Sequence, residues 1–195
     1  DICNCSNVAV RDSFIRSFDD TITIKGIPAY EERPVKHIHV SGCVMWCGWG
    51  RNAEIGIETY APEYDDIVFE DCDLIHSSAA CLDIQNGGFA HVHNVRFLDI
   101  RVEYAGSTLP EVYQHREEQV YDGQGKTGMP WLIFADNYQL PLGGASVPYG
   151  RTEDVLYRNI QVYLEEVLPA PKIHLACQES RKDAEGQSVL PAPKI

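Results

Sequence analysis

Four segments of this chain echo one another at intervals close to thirty residues. Asn7-Val8-Ala9-Val10-Arg11-Asp12-Ser13 is followed by His37-Ile38-His39-Val40-Ser41-Gly42-Cys43. Next come Asp66-Ile67-Val68-Phe69-Glu70-Asp71-Cys72 and Asn94-Val95-Arg96-Phe97-Leu98-Asp99-Ile100. The leading apolar residues stand at 8, 38, 67 and 95, so the intervals are 30, 29 and 28. A period of this length means stacked supersecondary units, each covering its neighbour's open end. It also decides which distant side chains share a face.

Each period holds two short strands. The second follows a turn: Thr21-Ile22-Thr23-Ile24-Lys25, then Ala53-Glu54-Ile55-Gly56-Ile57-Glu58, then Leu82-Asp83-Ile84-Gln85. Period-two alternation sends Ile22/Ile24, Ala53/Ile55 and Leu82/Ile84 inward. Thr23, Glu54 and Asp83 then face outward, and one step on so do Lys25, Gly56 and Gln85. Asp12, Asp71 and Asp99, with Gly42 as the exception, supply turn chemistry at the bend after each first strand. These units predict an all-β chain, a parallel β-helix of single-chain coils about 28–30 residues long.

The coils are expected over 1–166. Regularity breaks after Glu103, and the Gly-, Glu-, Gln- and Tyr-rich stretch from Ala105 to about Met129 reads as a long loop. Trp131-Leu132-Ile133-Phe134 reads as a returning strand, which makes the stretch at about 104–130 an insertion within the fourth coil. Another coil starts at Asp154-Val155-Leu156-Tyr157-Arg158-Asn159-Ile160. Residues 167–195 form a C-terminal coil or tail, in which Leu168-Pro169-Ala170-Pro171-Lys172-Ile173 recurs at 190–195. That recurrence has no physical account.

No run approaches 18 consecutive apolar residues, so no membrane span or membrane partner is expected. A formal charge of −13 disfavours nucleic acid and polyanionic glycans, which need Lys and Arg to neutralise them. The start, Asp1-Ile2-Cys3, carries no recognisable signal peptide and no initiator Met. The seven cysteines, Cys3, Cys5, Cys43, Cys47, Cys72, Cys81 and Cys177, lack paired metal-ligand spacing. Ser13, Cys43, Cys72 and Ile100 share one register position, an interior ladder that suits free thiols. No metal and no cofactor are expected.

The outward face carries the chemistry. Neighbouring strands lie about 4.8 Å apart, so Glu54 and Asp83, one coil apart in register, should be close. Asp20 stands two residues before Ile22, and Arg51 two before Ala53. Asp19, Asp20, Arg51, Glu54, Glu58 and Asp83 should therefore gather within roughly 10–15 Å. Like charges that close raise one another's pKa and suit general-acid work. Taken singly, an Asp-Asp pair is turn chemistry and an outward Glu is a solvated residue; the recurrence over three coils argues for function. Trp46 and Trp49, in the turn beside the acids, would stack sugars, their plainer role being core packing. Arg51 would pair with Asp20 or Glu54, while His76, in register with Cys47, reads as structural. Inverting glycosidases hold acid and base about 6.5–9.5 Å apart, and retaining ones about 5–5.5 Å; both spacings are available here.

With these residues placed, the chain resembles the polygalacturonase-like glycoside hydrolases, families 28 and 49, of the pectin-lyase-like right-handed parallel β-helix. The likeness covers roughly residues 1–103. It rests on Val8-Ala9-Val10 through Ser17-Phe18-Asp19-Asp20-Thr21-Ile22-Thr23-Ile24, which looks like that family's strand, turn, Asp-Asp, strand signature. By resemblance, Asp20 and Asp19 would be general acid and base, and the protein would be secreted or periplasmic. Three departures follow. Gly50-Arg51-Asn52 stands where the family has Gly-His-Gly. Asp83-Ile84-Gln85 replaces Arg-Ile-Lys, which puts a negative charge where a uronate would bind and favours a neutral glycan. The family's Asn-Thr-Asp would fall before Asp1, as if this were a piece of a longer β-helix.

The leading expectation is an inverting glycoside hydrolase acting on a neutral polysaccharide or oligosaccharide. Asp19, Asp20, Glu54 and Asp83 are the catalytic candidates; Arg51, Trp46, Trp49, Lys25, Glu58 and Gln85 are the substrate-binding ones. A non-catalytic carbohydrate-binding β-helix of adhesin or tailspike type is the alternative. A polysaccharide lyase or epimerase is weaker, because only Arg51 and Lys25 could neutralise a uronate.

Overall fold

The computed structural model describes residues 1–30, 32–104, 130–140, 148–164 and 170–176, with two further short strands at 181–182 and 188–189. Apart from one 3-10 turn at Pro28–Tyr30, every regular element among the described residues is a strand. In chain order the first ten are β1 (Ile2–Cys3), β2 (Ser6–Arg11), β3 (Phe14–Ser17), β4 (Ile22–Gly26), β5 (Val35–Ser41), β6 (Val44–Cys47), β7 (Arg51–Thr59), β8 (Glu63–Glu70), β9 (Asp73–His76) and β10 (Ala80–Asn86). There follow β11 (His91–Val92), β12 (Val95–Tyr104), β13 (Trp131–Asn137), β14 (Arg151–Thr152), β15 (Val155–Leu164), β16 (Lys172–Ala176), β17 (Arg181–Lys182) and β18 (Ser188–Val189).

Two large parallel sheets result. The first has the order β1-β4-β7-β10-β13-β16. The second pairs β2 with β5, β5 with β8, β8 with β12 and β12 with β15, while β3, β6 and β9 extend the same rows. Each strand therefore bonds to its counterpart one repeat away. β17 and β18 form a separate antiparallel pair. The insertion expected at about 104–130 lies, except for Tyr104 and Pro130, outside the described residues, as does the second copy of the recurring hexapeptide.

The repeat has a backbone cause. Asn7, His37, Asp66, Asn94 and Asp154, each just before a leading apolar residue, have φ of 62°, 55°, 55°, 53° and 48°. Five residues on, Asp12, Gly42, Asp71, Asp99 and Asn159 have φ of 48°, 61°, 50°, 55° and 52°. Asn, Asp and Gly tolerate this left-handed region best, because a short polar side chain can bond locally or no Cβ is present. A left-handed residue at both ends of a short straight run bends the chain at the same two places in each of these repeats. Asn159 Nδ2 donating to Asp99 Oδ1 at 2.8 Å ties one such bend to the next.

Between the sheets lies the apolar core. Ile24, Ile55, Leu82 and Ile84 from the first sheet meet Ile38, Ile67, Phe69 and Phe97 from the second, all buried. In-register stacking gives an aromatic row: Phe69 on Phe97 at 5.4 Å, and Phe97 on Tyr157 at 5.1 Å, nearly coplanar. Cys43, Cys72 and Ile100 form the interior ladder anticipated for them, with Ser13 partly exposed. The cysteines among the described residues are free. Burial pushes the thiols of Cys47, Cys72 and Cys81 up to about 11, 12 and 11, which fits packing rather than reactivity.

Phe97→Ala should remove both ring stacks and leave a cavity between two repeats. A loss of about 3–5 kcal/mol is expected in urea denaturation. Leu156→Ala, exposed on a neighbouring strand, should change stability by no more than about 0.5 kcal/mol.

Candidate active site

The outer face of the first sheet brings the acids together. Thr23 pairs with Glu54 and Glu54 with Asp83, so the two carboxylates occupy adjacent strands, β7 and β10. Both are fully buried. Asp20 reaches them from the bend before β4. Gly50 lies beneath this bend, and a Cβ there would meet Asp20 N at 2.7 Å, so only glycine lets Asp20 come so close. The Arg51 amide donates to Asp20 Oδ1 at 2.9 Å and locks the carboxylate in place.

Arg51 is the counter-ion of all three acids. Its Nη1 stands 3.9 Å from Asp20 Oδ1, and its Nε is 3.7 Å from Glu54 Oε1 and 3.1 Å from Asp83 Oδ2. The Glu54 and Asp83 oxygens so placed can be no further apart than the sum of those two legs, 6.8 Å. Gln85 Nε2 donates to Asp83 Oδ2 at 2.7 Å, and Tyr138 OH donates to Gln85 Oε1 at 3.3 Å. Among the described residues neither Glu54 oxygen receives a hydrogen bond.

This environment separates the two buried acids. Burial pushes Glu54 up to about 9, helped by the nearby Asp20 and Asp83 carboxylates, against the opposing pull of Arg51. Burial also lifts Asp83, to about 6, but Gln85 and Arg51 hold it down. Both acids are thus pushed toward the protonated form, Glu54 more strongly than Asp83. Burial disfavours the Arg51 charge, yet Glu54, Asp83 and Asp20 outweigh it and raise its pKa. Two neighbouring acids of unequal proton affinity are an arrangement that acid–base chemistry uses.

The other candidates fall as follows. Asp19 is exposed, and its Oδ1 accepts the Asp20 amide at 2.9 Å, a turn contact. Glu58 ion-pairs with Lys25 at 3.3 Å. Lys25 is not aligned with Gly56 and Gln85, because the β4–β7 register slips between Ile24 and Gly26 while Gly56 pairs with Gln85. Trp46 lies within β6 on the second sheet, not in the turn. It stacks on His76 at 5.1 Å with Arg16 over its ring at 5.1 Å. A register irregularity after Met45 puts His76 beside Trp46 rather than Cys47. Trp49 sits in the bend between β6 and β7, partly exposed.

Tyr138 is a site residue that sequence reasoning did not find. It follows β13, and only β10–β13 pairing brings it to Gln85. Among the described residues one group could hold a metal: Glu63 and Asp65 on β8, with His93 between β11 and β12. Lys36 already ion-pairs with both carboxylates there, so the cation position is taken by the chain itself.

No family model, curated protein or solved structure matches this chain.

The raised Glu54 pKa makes stability fall with pH. The folded chain holds a proton that the unfolded chain, with an ordinary Glu near 4.5, has lost. The contribution is complete below pH 4.5 and vanishes as pH rises through about 9. Glu54→Gln should abolish this dependence between pH 6.5 and 8.5. Unfolding free energies of the two proteins, from urea denaturation, should diverge with a slope of up to about 1.4 kcal/mol per pH unit. Parallel curves would show that Glu54 is already ionised.

Proposed function

We propose that the repeats wind as a right-handed parallel β-helix and that this protein is a glycoside hydrolase acting on a neutral polysaccharide or oligosaccharide. Parallel strands joined within one sheet cross over with right-handed sense in nearly all proteins, which supports the winding. The observation that carries the activity is the convergence of Asp20, Glu54 and Asp83 on Arg51, with burial raising the proton affinity of Glu54 most.

In this reading the site is layered. Asp20 and Arg51 keep 12% and 29% of their side chains exposed, whereas Glu54 and Asp83 keep none. Asp20 is therefore the acid that meets the glycosidic oxygen. Glu54 behind it is the proton reserve from which Asp20 is recharged. Asp83 remains ionised, and its field favours the positive charge that grows on the sugar ring as the bond breaks. The limit of 6.8 Å on the Glu54–Asp83 pair leaves little space for a water between them. Inversion would accordingly use Asp20 as acid and Asp19, open to bulk water in the same bend, as base. The surplus of acids disfavours a uronate and selects an uncharged glycan.

The complete burial of Glu54 and Asp83 favours a second reading, a carbohydrate-binding β-helix in which these acids only support Asp20 and Arg51. Turnover separates the two. Assayed on neutral oligosaccharides, Asp20→Asn should lose about 10²- to 10⁴-fold in kcat while still binding them. The product anomer, followed by NMR from the start of reaction, should be inverted. Undiminished turnover in Asp20→Asn removes the proposed acid; binding without turnover on every glycan leaves the second reading.

A further inference from the structure

The outer face of the first sheet does not end at the acids. Asp83 pairs with Phe134, and Phe134 with His174; nearer the start of the same strands, Ala80 pairs with Trp131, and Trp131 with Lys172. Four consecutive strands thus carry Glu54, Asp83, Phe134 and His174 in a row, a length of about 14 Å. That is a surface for a chain of sugars rather than for one.

The rings form a single group. Phe134 and His174 stack at 4.5 Å, and Trp131 meets them edge-on at 5.8 and 5.9 Å. Core packing does not account for it. In β13 the core residues are Leu132, Ile133 and Ala135, while Trp131 and Phe134 are partly exposed, as is His174. Polar groups stand at its rim. His174 Nε2 lies 3.2 Å from Asp136 Oδ2, and Lys172 Nζ lies 4.6 Å above the Trp131 ring. Lys172 is exposed, so its side chain can swing off that ring face and leave it to a ligand.

We propose that Trp131, Phe134 and His174 are a sugar-binding subsite that takes an uncharged pyranose residue of the same glycan whose bond lies over Asp20. The apolar C–H face of a pyranose packs on an indole as another ring would. Its hydroxyls lie in the rim plane, where Asp136 accepts hydrogen bonds and His174 and Lys172 donate them. Asp83 and Asp136 flank the rings and oppose a carboxylated sugar. This is the role the sequence suggested for Trp46, which the fold commits to another sheet. The subsite's place in the reaction rests on the hydrolase reading; its capacity to bind does not.

The test uses the full chain and a set of neutral tetra- to hexasaccharides built from glucose, mannose, xylose or galactose, with a trigalacturonate as charged control. Binding is read by calorimetry and by the indole N–H signals of the tryptophans, Trp131 being assigned through Trp131→Phe. At least one neutral glycan should shift the Trp131 signal. Trp131→Ala should weaken that glycan about tenfold or more, and Phe134→Ala by a smaller factor. Trp46→Ala should bind as the unaltered protein does. Unchanged melting temperatures guard against misfolding, and Trp131→Tyr, which keeps a flat ring, should restore most of the affinity.

The proposal is overturned if Trp131→Ala and Phe134→Ala bind every glycan as tightly as the unaltered chain. It is equally overturned if only trigalacturonate binds, or if no glycan moves the Trp131 signal. The two readings fail separately. Turnover lost in Asp20→Asn but with KM unchanged in Trp131→Ala sinks the subsite and keeps the hydrolase. A Trp131 shift without turnover on any glycan keeps the subsite and sinks the hydrolase.

Discussion

Strand register is the constraint on which everything else in this molecule depends. Ile22, Ala53, Leu82, Ile133 and Ile173 lie one beside the next across five parallel strands, and the outward residues beside them must do the same. A slip of one residue would turn every core side chain to the opposite face. The left-handed residues at both ends of each short run, Asn7 and Asp12 or Asp66 and Asp71, resist such a slip because each must land at a bend. The register that buries Ile55 and Leu82 therefore also forces Glu54 beside Asp83. No separate device is needed to assemble the acids.

That enforced proximity has a cost. Taking an ionised carboxylate out of water costs several kcal/mol even after the protein relaxes. One guanidinium cannot offset three carboxylates, and the geometry shows where it is spent. Arg51 Nε stands closest to Asp83, at 3.1 Å, and further from Glu54, at 3.7 Å. Asp83 also receives Gln85, itself held by Tyr138, whereas Glu54 receives no donor among the described residues. Neutralising Glu54 is the cheaper solution. The difference in proton affinity between the two acids thus follows from which of them the donors reach.

The sequence carried the repeat, the inward and outward faces and the Asp20–Arg51–Glu54–Asp83 grouping, because each follows from spacing alone. It failed wherever a local irregularity changed the count. The slip between Ile24 and Gly26 removed Lys25 from the Gly56–Gln85 row, and the irregularity after Met45 put His76 beside Trp46. Neither leaves a mark that period-two alternation can detect. Tyr138, Phe134 and His174 escaped for another reason. They follow the break after Glu103, where the interval to the next strand no longer approximates thirty residues and register arithmetic has nothing to count from. Pairing of β13 on β10, a long-range fact, had to supply it.

The two outer faces differ in how their acids are matched. On the second sheet acids are matched by nearby bases in partly exposed pairs: His37 with Asp66, His39 with Glu70, Lys36 with Glu63 and Asp65, and Arg101 with Asp71 and Asp73. Such exposed pairs contribute little individually, and they leave no unmet demand. On the first sheet three acids share the Arg51 cation, Glu54 and Asp83 are fully buried, and Glu54 has no donor among the described residues. A protein that needed only stability would be better served by apolar residues of the same size at Glu54 and Asp83. Retention of an unsatisfied acid pair beneath Asp20, next to a row of outward-facing rings, is a strain that packing does not require. It is the condition in which a proton can be held ready and given up.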